Sequence, residues 1–407
     1  MFKVIDGGLM EGSADSRKKF ISAYMTDTRL MGVVGIFVRW KLTDNETNTE
    51  FFQCFYLDAE EFGFDSYEYV IGPDTEETEE RAMAMADRLL GGLGGKRAKI
   101  SEREARSLVQ DYVYMNVKNN IPIPDDAEID FMLKPEITLS LKERRELMEK
   151  QCEEITGDYQ LLNYFVMRLV GHDFEAAKYL AGSGINLKDF RKDEPATLLR
   201  NESELSGSGY NSGSEKGSFK TSWTYLCQSL VEHKGYFEVL TSKITVEGLK
   251  VRDFKLMTRE RISSKEADFL TRREEYIILN ELEIEPEDFN KETSPIIARS
   301  QEDSFETGRL FMIFNQDNSH VARRVFRLYD DVFASVYVTD FGQLIVASFD
   351  RENAETLEKD LLKTHTDEVV YPLVRYSFDM PVLYEFVRSG FTDFEEFIDV
   401  VSENDRD

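Results

Sequence analysis

The stretch LFMIFNQDNSHVARRVFRLYDDVFASVYVTDFGQLIVASF, at residues 310–349, gives the clearest indication of the fold in this 407-residue chain. Its β-branched and aromatic runs are typical of strands, and they are separated by segments with turn or helix character. Together with the residues that follow, the pattern predicts strand 310–315, helix 318–329, strand 332–339, a turn at 340–342, strand 343–349 and helix 351–362. We therefore predict an α+β protein with a βαββα segment, compatible with half of a ferredoxin-like domain.

The first half of the chain reads as a β-hairpin followed by helices. Apolar residues alternate over 31–42 (MGVVGIFVRWKL), and a second apolar run covers 51–57 (FFQCFYL). Capping boxes at Ser101-x-x-Glu104 and Ser140-x-x-Glu143 predict two helix starts. The same kinds of pattern predict further helices at 76–90, 159–170, 173–181, 382–387 and 394–401, and further strands at 236–246, 249–262 and 275–284.

A Ser/Gly-rich segment divides the chain into two predicted domains. Residues 201–218 read NESELSGSGYNSGSEKGS and contain few large apolar side chains. Such a segment gains little by burial, so we predict a flexible linker or an exposed loop over 195–218. The N-terminal α+β domain is then 1–194, and the C-terminal domain, with an acidic end, is 219–407.

The composition favours a folded, acidic protein in a reducing compartment. Hydrophobic residues make up 41% of the chain, and 78 acidic against 50 basic residues give a net charge of −28. A field of that sign repels phosphate backbones and anionic lipid, so we expect neither direct nucleic-acid binding nor a membrane partner. The three separated cysteines (Cys54, Cys152 and Cys227) indicate no disulfide framework. With no readable signal peptide or spanning segment, we expect a cytoplasmic location.

Two short motifs match parts of nucleotide-binding signatures and lack the rest. GGLGGK at 91–96 follows a predicted helix and has Arg97 where a phosphate-binding loop needs a hydroxyl. DFG at 340–342 lies between two strands, and no His-Arg-Asp sequence precedes it, so a turn is the better interpretation. No dinucleotide fingerprint or serine nucleophile elbow is present. We predict no cofactor and assign no catalytic residue.

Two acidic or histidine-containing segments contain residue types that bind metal ions. His172-Asp173 matches a ligand pair of metal-dependent phosphohydrolases, but no histidine precedes it, and Asp173 suits a helix N-cap. Asp125, Asp126, Glu128 and Asp130 lack a calcium-loop pattern and read as an extended, solvated acidic segment. We therefore predict no metal.

An arginine cluster is the one candidate binding site. Arg323, Arg324 and Arg327 fall on the helix predicted over 318–329, and the first and third share a face because they are four residues apart. Guanidinium groups on a rigid element suit a carboxylate or phosphate, so we predict an anion or partner contact. The alternative is an exposed helix face whose charges pair with local acids.

Three functions follow as hypotheses. The leading one is a non-enzymatic protein-interaction or assembly module that binds a protein partner or forms a homo-oligomer. The second is a hydrolase or transferase whose site is assembled from distant residues, with His172 or the acids at 125–130 as candidates. The third is an acidic partner or mimic that acts on nucleic-acid-binding machinery.

Overall fold

The structure, a computed structural model, describes residues 18–404. Short segments within that range are not described: 43–48, 61–62, 91–92, 94, 124–128, 182–184, 186, 188–189, 191–193, 213–218, 315–324, 328–331 and 366–368. Antiparallel sheets and helices both contribute, so the predicted α+β class is confirmed. The chain divides into two compact units, Met1–Glu153 (unit 1) and Glu154–Asp407 (unit 2).

Unit 1 is built on a five-stranded antiparallel sheet with helices on both sides. In chain order its elements are β1 (Lys18–Thr26), β2 (Val33–Leu42), β3 (Thr49–Asp58), β4 (Gly63–Pro73), α1 (Glu76–Leu90), β5 (Arg97–Ile100), α2 (Glu102–Asn119), α3 (Asp130–Leu133) and α4 (Leu141–Gln151). The strands lie in the order β4-β3-β2-β1-β5. The predicted hairpin is confirmed, since β2 and β3 pair from Val33–Asp58 to Leu42–Thr49.

Strand alternation sorts the apolar residues of unit 1 onto the two sides of its sheet. The inner side packs on α2 and α3, and its fully buried members on β2 are Val34, Ile36, Val38 and Trp40. The outer side packs on α1 through Phe52 and Cys54 of β3. Helix α1 crosses close to the sheet at Gly35, where an added Cβ would lie 2.6 Å from Leu90 Cδ2. Both capping boxes predicted for α2 and α4 are confirmed.

Unit 2 contains two antiparallel sheets and six helices in its described part. In chain order its elements are α5 (Asp158–Val170), α6 (Phe174–Leu180), β6 (Thr197–Ser212), β7 (Phe219–His233), β8 (Tyr236–Glu247), β9 (Val251–Ile262), α7 (Ser264–Thr271), β10 (Glu275–Leu282), β11 (Gln301–Phe305), β12 (Gly308–Phe314), β13 (Val325–Arg327), β14 (Val332–Thr339), β15 (Gln343–Ser348), α8 (Arg351–Thr364), β16 (Val369–Phe378), α9 (Leu383–Ser389) and α10 (Phe394–Asn404). The sheet orders are β13-β6-β7-β8-β9 and β11-β12-β14-β15-β10-β16.

The six-stranded sheet is the middle layer of a three-layer arrangement. Alternate residues of β10, β14 and β15 pack on one side against α8, through Leu357 and Leu361. The other side packs against α9 and α10, through Phe386 and Phe394. Buried Glu275 fixes the start of α9, because its carboxylate accepts hydrogen bonds from the backbone N–H groups that open that helix at 2.6 and 2.9 Å.

The predicted βαββα segment needs a correction between its first two strands. The strands near 310–315, 332–339 and 343–349, the turn at 340–342 and the helix at 351–362 are confirmed. Within the predicted helix 318–329, however, Val325–Arg327 is the strand β13, which pairs with β6; residues 315–324 and 328–331 lie outside the described residues. Tertiary pairing with a strand far away in the sequence has overridden a local helical pattern.

The predicted linker over 195–218 also differs from the structure. Residues 197–212 form β6, which pairs along its whole length with β7, while 213–218 lie outside the described residues. The strand is held by backbone hydrogen bonds and by buried polar side chains rather than by large apolar ones. Asn201 Nδ2 donates to Asn163 Oδ1 at 2.8 Å, and Ser229 Oγ donates to Asn201 Oδ1 at 2.8 Å. A Ser- and Asn-rich composition therefore does not exclude a strand where partners satisfy its polar groups.

Candidate functional site

One arginine of the predicted cluster lies in the described part of the chain. Arg323 and Arg324 lie outside the described residues, and Arg327 lies in β13 with its backbone paired to Glu202. Arg327 is therefore in a strand and not on the predicted helix, so the predicted helix face shared with Arg323 is wrong. Anion or partner contact by Arg323, Arg324 and Arg327 stays a prediction.

The structure describes part of the two segments that contain metal-binding residue types, His172-Asp173 and the acids at 125–130. Asp173 caps α6 as predicted, since its carboxylate accepts a hydrogen bond from Ala176 N at 3.1 Å. Asp125, Asp126 and Glu128 lie outside the described residues, whereas Asp130 opens the short helix α3 instead of continuing an extended segment. In the part of the chain that the structure describes, no three His, Cys, Asp or Glu side chains are placed to hold a metal ion.

A small polar cavity in unit 2 brings together titratable residues that are distant in sequence. It lies beside the β7–β8 hairpin, and the polar members of its lining are His172, Glu194, His233, Glu238 and Arg259. It leaves about 10 Å³ for the centre of a water-sized molecule, which is room for about one water molecule.

His233 and Glu238 form the polar centre of this cavity. His233 is 7% exposed and Glu238 is 8% exposed, and His233 Nε2 lies 3.3 Å from Glu238 Oε2. Neither ring nitrogen of His233 has a well-aligned hydrogen-bond partner among the described residues. The ring stacks on Tyr236 at 4.4 Å, and the Arg261 guanidinium lies 3.9 Å from the same tyrosine ring centre. A histidine in contact with a carboxylate is a common acid–base pair, but the space beside it is small.

The cysteines have the properties of core residues rather than nucleophiles. Cys54, Cys152 and Cys227 are all buried. Burial raises the pKa of the Cys54 thiol to about 12, and it raises the pKa of the Cys227 thiol to about 12 as well. A thiol with so high a pKa is protonated at neutral pH, and the thiolate is the reactive form.

Unit 1 presents a basic surface on the outer side of its sheet, in the part that α1 does not cover. We call it the lysine face; its members are Lys19, Tyr24, Lys41, Arg97 and Lys99. Directly paired residues project on the same side of a sheet. Lys19 pairs with Lys41 across β1 and β2, and Tyr24 pairs with Lys99 across β1 and β5. Arg97 stands opposite Thr26, two residues along from the Tyr24–Lys99 pair.

The lysines of this face form no salt bridge within the described chain. Lys19, Lys41 and Lys99 form no salt bridge there, and only Arg97 pairs, with Asp87 of α1 at 3.3 Å. Lys19, Lys99 and Arg97 are exposed, Lys41 is half-buried, and Tyr24, beside Lys99, is 38% exposed. Like charges placed directly opposite each other destabilise a sheet, so the Lys19–Lys41 pair is a local cost to folding.

Sequence reasoning missed both groupings. The lysine face is assembled by strand register from positions 19, 41 and 99, and β1 was not predicted at all. A signal was present in β2, where Arg39 and Lys41 alternate with the buried Val38 and Trp40. His233 and Glu238 flank a short hairpin turn, at Lys234 and Gly235, and that proximity could have been noted.

No protein-family model, curated protein or solved structure matches this chain. None of the described helices is both long enough and apolar enough to span a membrane.

Proposed function

We propose that this protein is a protein-interaction module and that the lysine face of unit 1 is its contact surface. The observation that carries the proposal is a set of three lysines, Lys19, Lys41 and Lys99, that form no salt bridge within the described chain although the protein has 78 acidic residues. Placing Lys19 opposite Lys41 costs stability, as does the Lys243–Lys255 pair in unit 2. The lysine face differs from that pair because a third strand adds Lys99 and Arg97, and because Tyr24 lies beside Lys99.

The chemistry of the face indicates an acidic protein segment as its ligand. Lysine ammonium groups attract carboxylates over a Debye length of about 8 Å at physiological ionic strength, so a local basic surface acts in spite of a negative total charge. Tyr24 supplies an amphipathic ring beside Lys99, of the kind enriched at protein interfaces. The same lysines would attract a nucleic acid. Its phosphate backbone would make a longer contact, however, and would be repelled by the protein's net charge of −28.

Acetylation of surface lysines tests the proposal. The full-length protein is treated with sulfo-NHS-acetate, once purified and dilute and once in an extract of its host, and modification of each lysine is quantified by mass spectrometry. We expect Lys19 and Lys99 to be modified several-fold more slowly in the extract. The matched control is the exposed pair Lys243 and Lys255, which also face each other across two strands, in unit 2. Equal modification rates for all four lysines in both conditions would rule the proposal out.

A hydrolase or transferase is the second candidate, and the His233–Glu238 contact favours it. Its test is hydrolysis of p-nitrophenyl acetate and p-nitrophenyl phosphate by the wild type, the His233→Gln variant and a Lys234→Gln control in the adjacent, exposed position. Loss of hydrolysis in His233→Gln alone would support an enzyme. A wild-type rate no higher than that of buffer would count against it for these two substrate classes.

A further inference from the structure

Helix α1 carries an acidic surface on the side that faces away from the sheet. The buried side of the helix includes Thr78, Ala82 and Met85. Residues on the opposite side recur at helical spacing, and we call them the acidic stripe: Glu76, Glu80, Met83 and Asp87. All four are exposed, and Met83 is 55% exposed.

The acidic stripe and the lysine face have complementary chemistry. The stripe has three carboxylates and an exposed methionine, and the face has four basic groups and an exposed tyrosine. One acidic–basic pair, Asp87 with Arg97, is already made within a protomer. Methionine sulfur makes favourable contacts with aromatic rings, and carboxylates pair with lysines. Glu76 and Glu80 form no salt bridge with described residues, so they are available to an external partner.

The dimensions of the two surfaces also agree. The stripe runs from Glu76 to Asp87, which is about 16 Å along a helix at 1.5 Å per residue. The lysine face runs along β1 from Lys19 to Tyr24, which is about 16 Å at 3.3 Å per residue. Five strands about 4.8 Å apart span roughly 19 Å, and packed helices lie about 10 Å apart, so the outer side of this sheet has room for α1 and one further helix.

We propose that the lysine face binds the acidic stripe of α1 from a second copy of this chain, an inference that rests on the proposed function. Both surfaces lie on the outer side of the same sheet, and each copy contributes both. A two-fold axis therefore places α1 of each protomer on the lysine face of the other, which is a closed, isologous contact. Within one protomer, Asp87 at the end of the stripe pairs with Arg97 of the face at 3.3 Å. Glu76, Glu80 and Met83 are exposed to solvent, so their contacts with the lysines are made between copies.

Long-range repulsion limits the strength of this contact. Two chains that each carry −28 repel each other, but that repulsion is screened beyond about 8 Å at physiological salt, whereas the facing carboxylates and ammonium groups are closer than that. We expect a reversible dimer that weakens when charges on either surface are reversed. Because of the two-fold symmetry, each substitution affects both copies of the contact.

Reciprocal charge reversal in the full-length protein tests the inference. One variant carries Lys19→Glu and Lys41→Glu, and the other carries Glu76→Lys and Glu80→Lys. Sedimentation equilibrium should show a wild-type dimer, at least tenfold weaker self-association of each variant, and recovery of a dimer when the two variants are mixed. Lys243→Glu with Lys255→Glu is the matched control, and it should dimerise like the wild type. Circular dichroism confirms that every variant is folded.

The possible results separate this inference from the proposed function. A wild-type protein that stays monomeric up to about 100 µM, well above typical cellular protein concentrations, or a dimer that neither variant weakens, would overturn the inference. If the monomeric protein still shows slow acetylation of Lys19 and Lys99 in host extract, the proposed function stands with a different partner. If neither dimerisation nor protection occurs, both fail.

Discussion

Replacing Lys19 by glutamine should stabilise the monomer, although it removes a residue of the proposed contact surface. Lys19 faces Lys41 across β1 and β2, and β5 pairs with β1 only from Ala23 onward. Lys19 therefore has a like charge on one side and, among the described residues, no paired acidic neighbour on the other. Lys41 is a less clear choice, because it also pairs in register with Glu50.

The size of the effect follows from the sheet geometry. The Cβ atoms of directly opposed residues lie about 5 Å apart, and the two flexible ammonium groups can separate to roughly 7 Å. Two unit charges at about 7 Å in water repel by about 0.6 kcal/mol, and salt at 0.1 M halves that figure. We therefore expect Lys19→Gln to raise the free energy of unfolding of unit 1 by about 0.3–0.6 kcal/mol, and by less at high salt.

Urea unfolding of a Trp223→Phe background provides the assay. Trp40 is then the sole tryptophan, and it is fully buried in the core of unit 1, so its fluorescence reports that unit. Measurements are made at submicromolar protein in order to favour the monomer. A double-mutant cycle of Lys19→Gln with Lys41→Gln should give an unfavourable coupling between the two lysines that shrinks in 0.5 M salt. Zero or favourable coupling would mean that the two ammonium groups do not face each other, and the reasoning for the lysine face would be refuted.

Three further predictions concern the rest of the molecule. Asn116→Ala should lower the free energy of unfolding of unit 1 by about 2–3 kcal/mol in the same assay. The buried side-chain amide accepts a hydrogen bond from Phe64 N at 2.6 Å and donates one to Phe64 O at 2.9 Å, and both backbone groups would lose this partner. A loss below about 0.5 kcal/mol would contradict this prediction. Iodoacetamide at pH 8 should label Cys54 and Cys227 only in urea, since burial raises the pKa of each thiol to about 12; rapid labelling of the folded protein would contradict it. Burial also raises the pKa of the Glu275 carboxyl above its ordinary 4.5. As pH rises above 4.5 the unfolded state ionises first, so the wild type should lose stability relative to Glu275→Gln. A stability difference that does not change with pH would contradict this prediction.

Local patterns were sufficient to predict those elements whose stabilising interactions lie within a few residues. The capping boxes at Ser101 and Ser140 were predicted because each is a reciprocal side-chain and backbone contact over three residues. The turn at 340–342 was predicted for a similar reason, since Gly342 has a φ of 91°, in the left-handed region that favours glycine. The alternation along β2 indicated its buried side without knowledge of the partner strands.

Elements that depend on distant partners were not predicted correctly. Val325–Arg327 pairs with β6, more than 100 residues earlier in the chain, so its local helical pattern was misleading. The polar strand β6 depends on Asn163 and on Ser229, which no window around residues 197–212 includes. The lysine face has the same origin, because strand register alone brings residues 19, 41 and 99 together.

The most direct test of the central claim is the acetylation rate of Lys19 in host extract, relative to that of Lys243 in the same sample. If the lysine face is a contact surface, this ratio falls several-fold from its value in the purified, dilute protein, and it returns to that value for the variant with Lys41→Glu and Lys99→Glu. An unchanged ratio would contradict the claim, because it would mean that these lysines remain in contact with water alone.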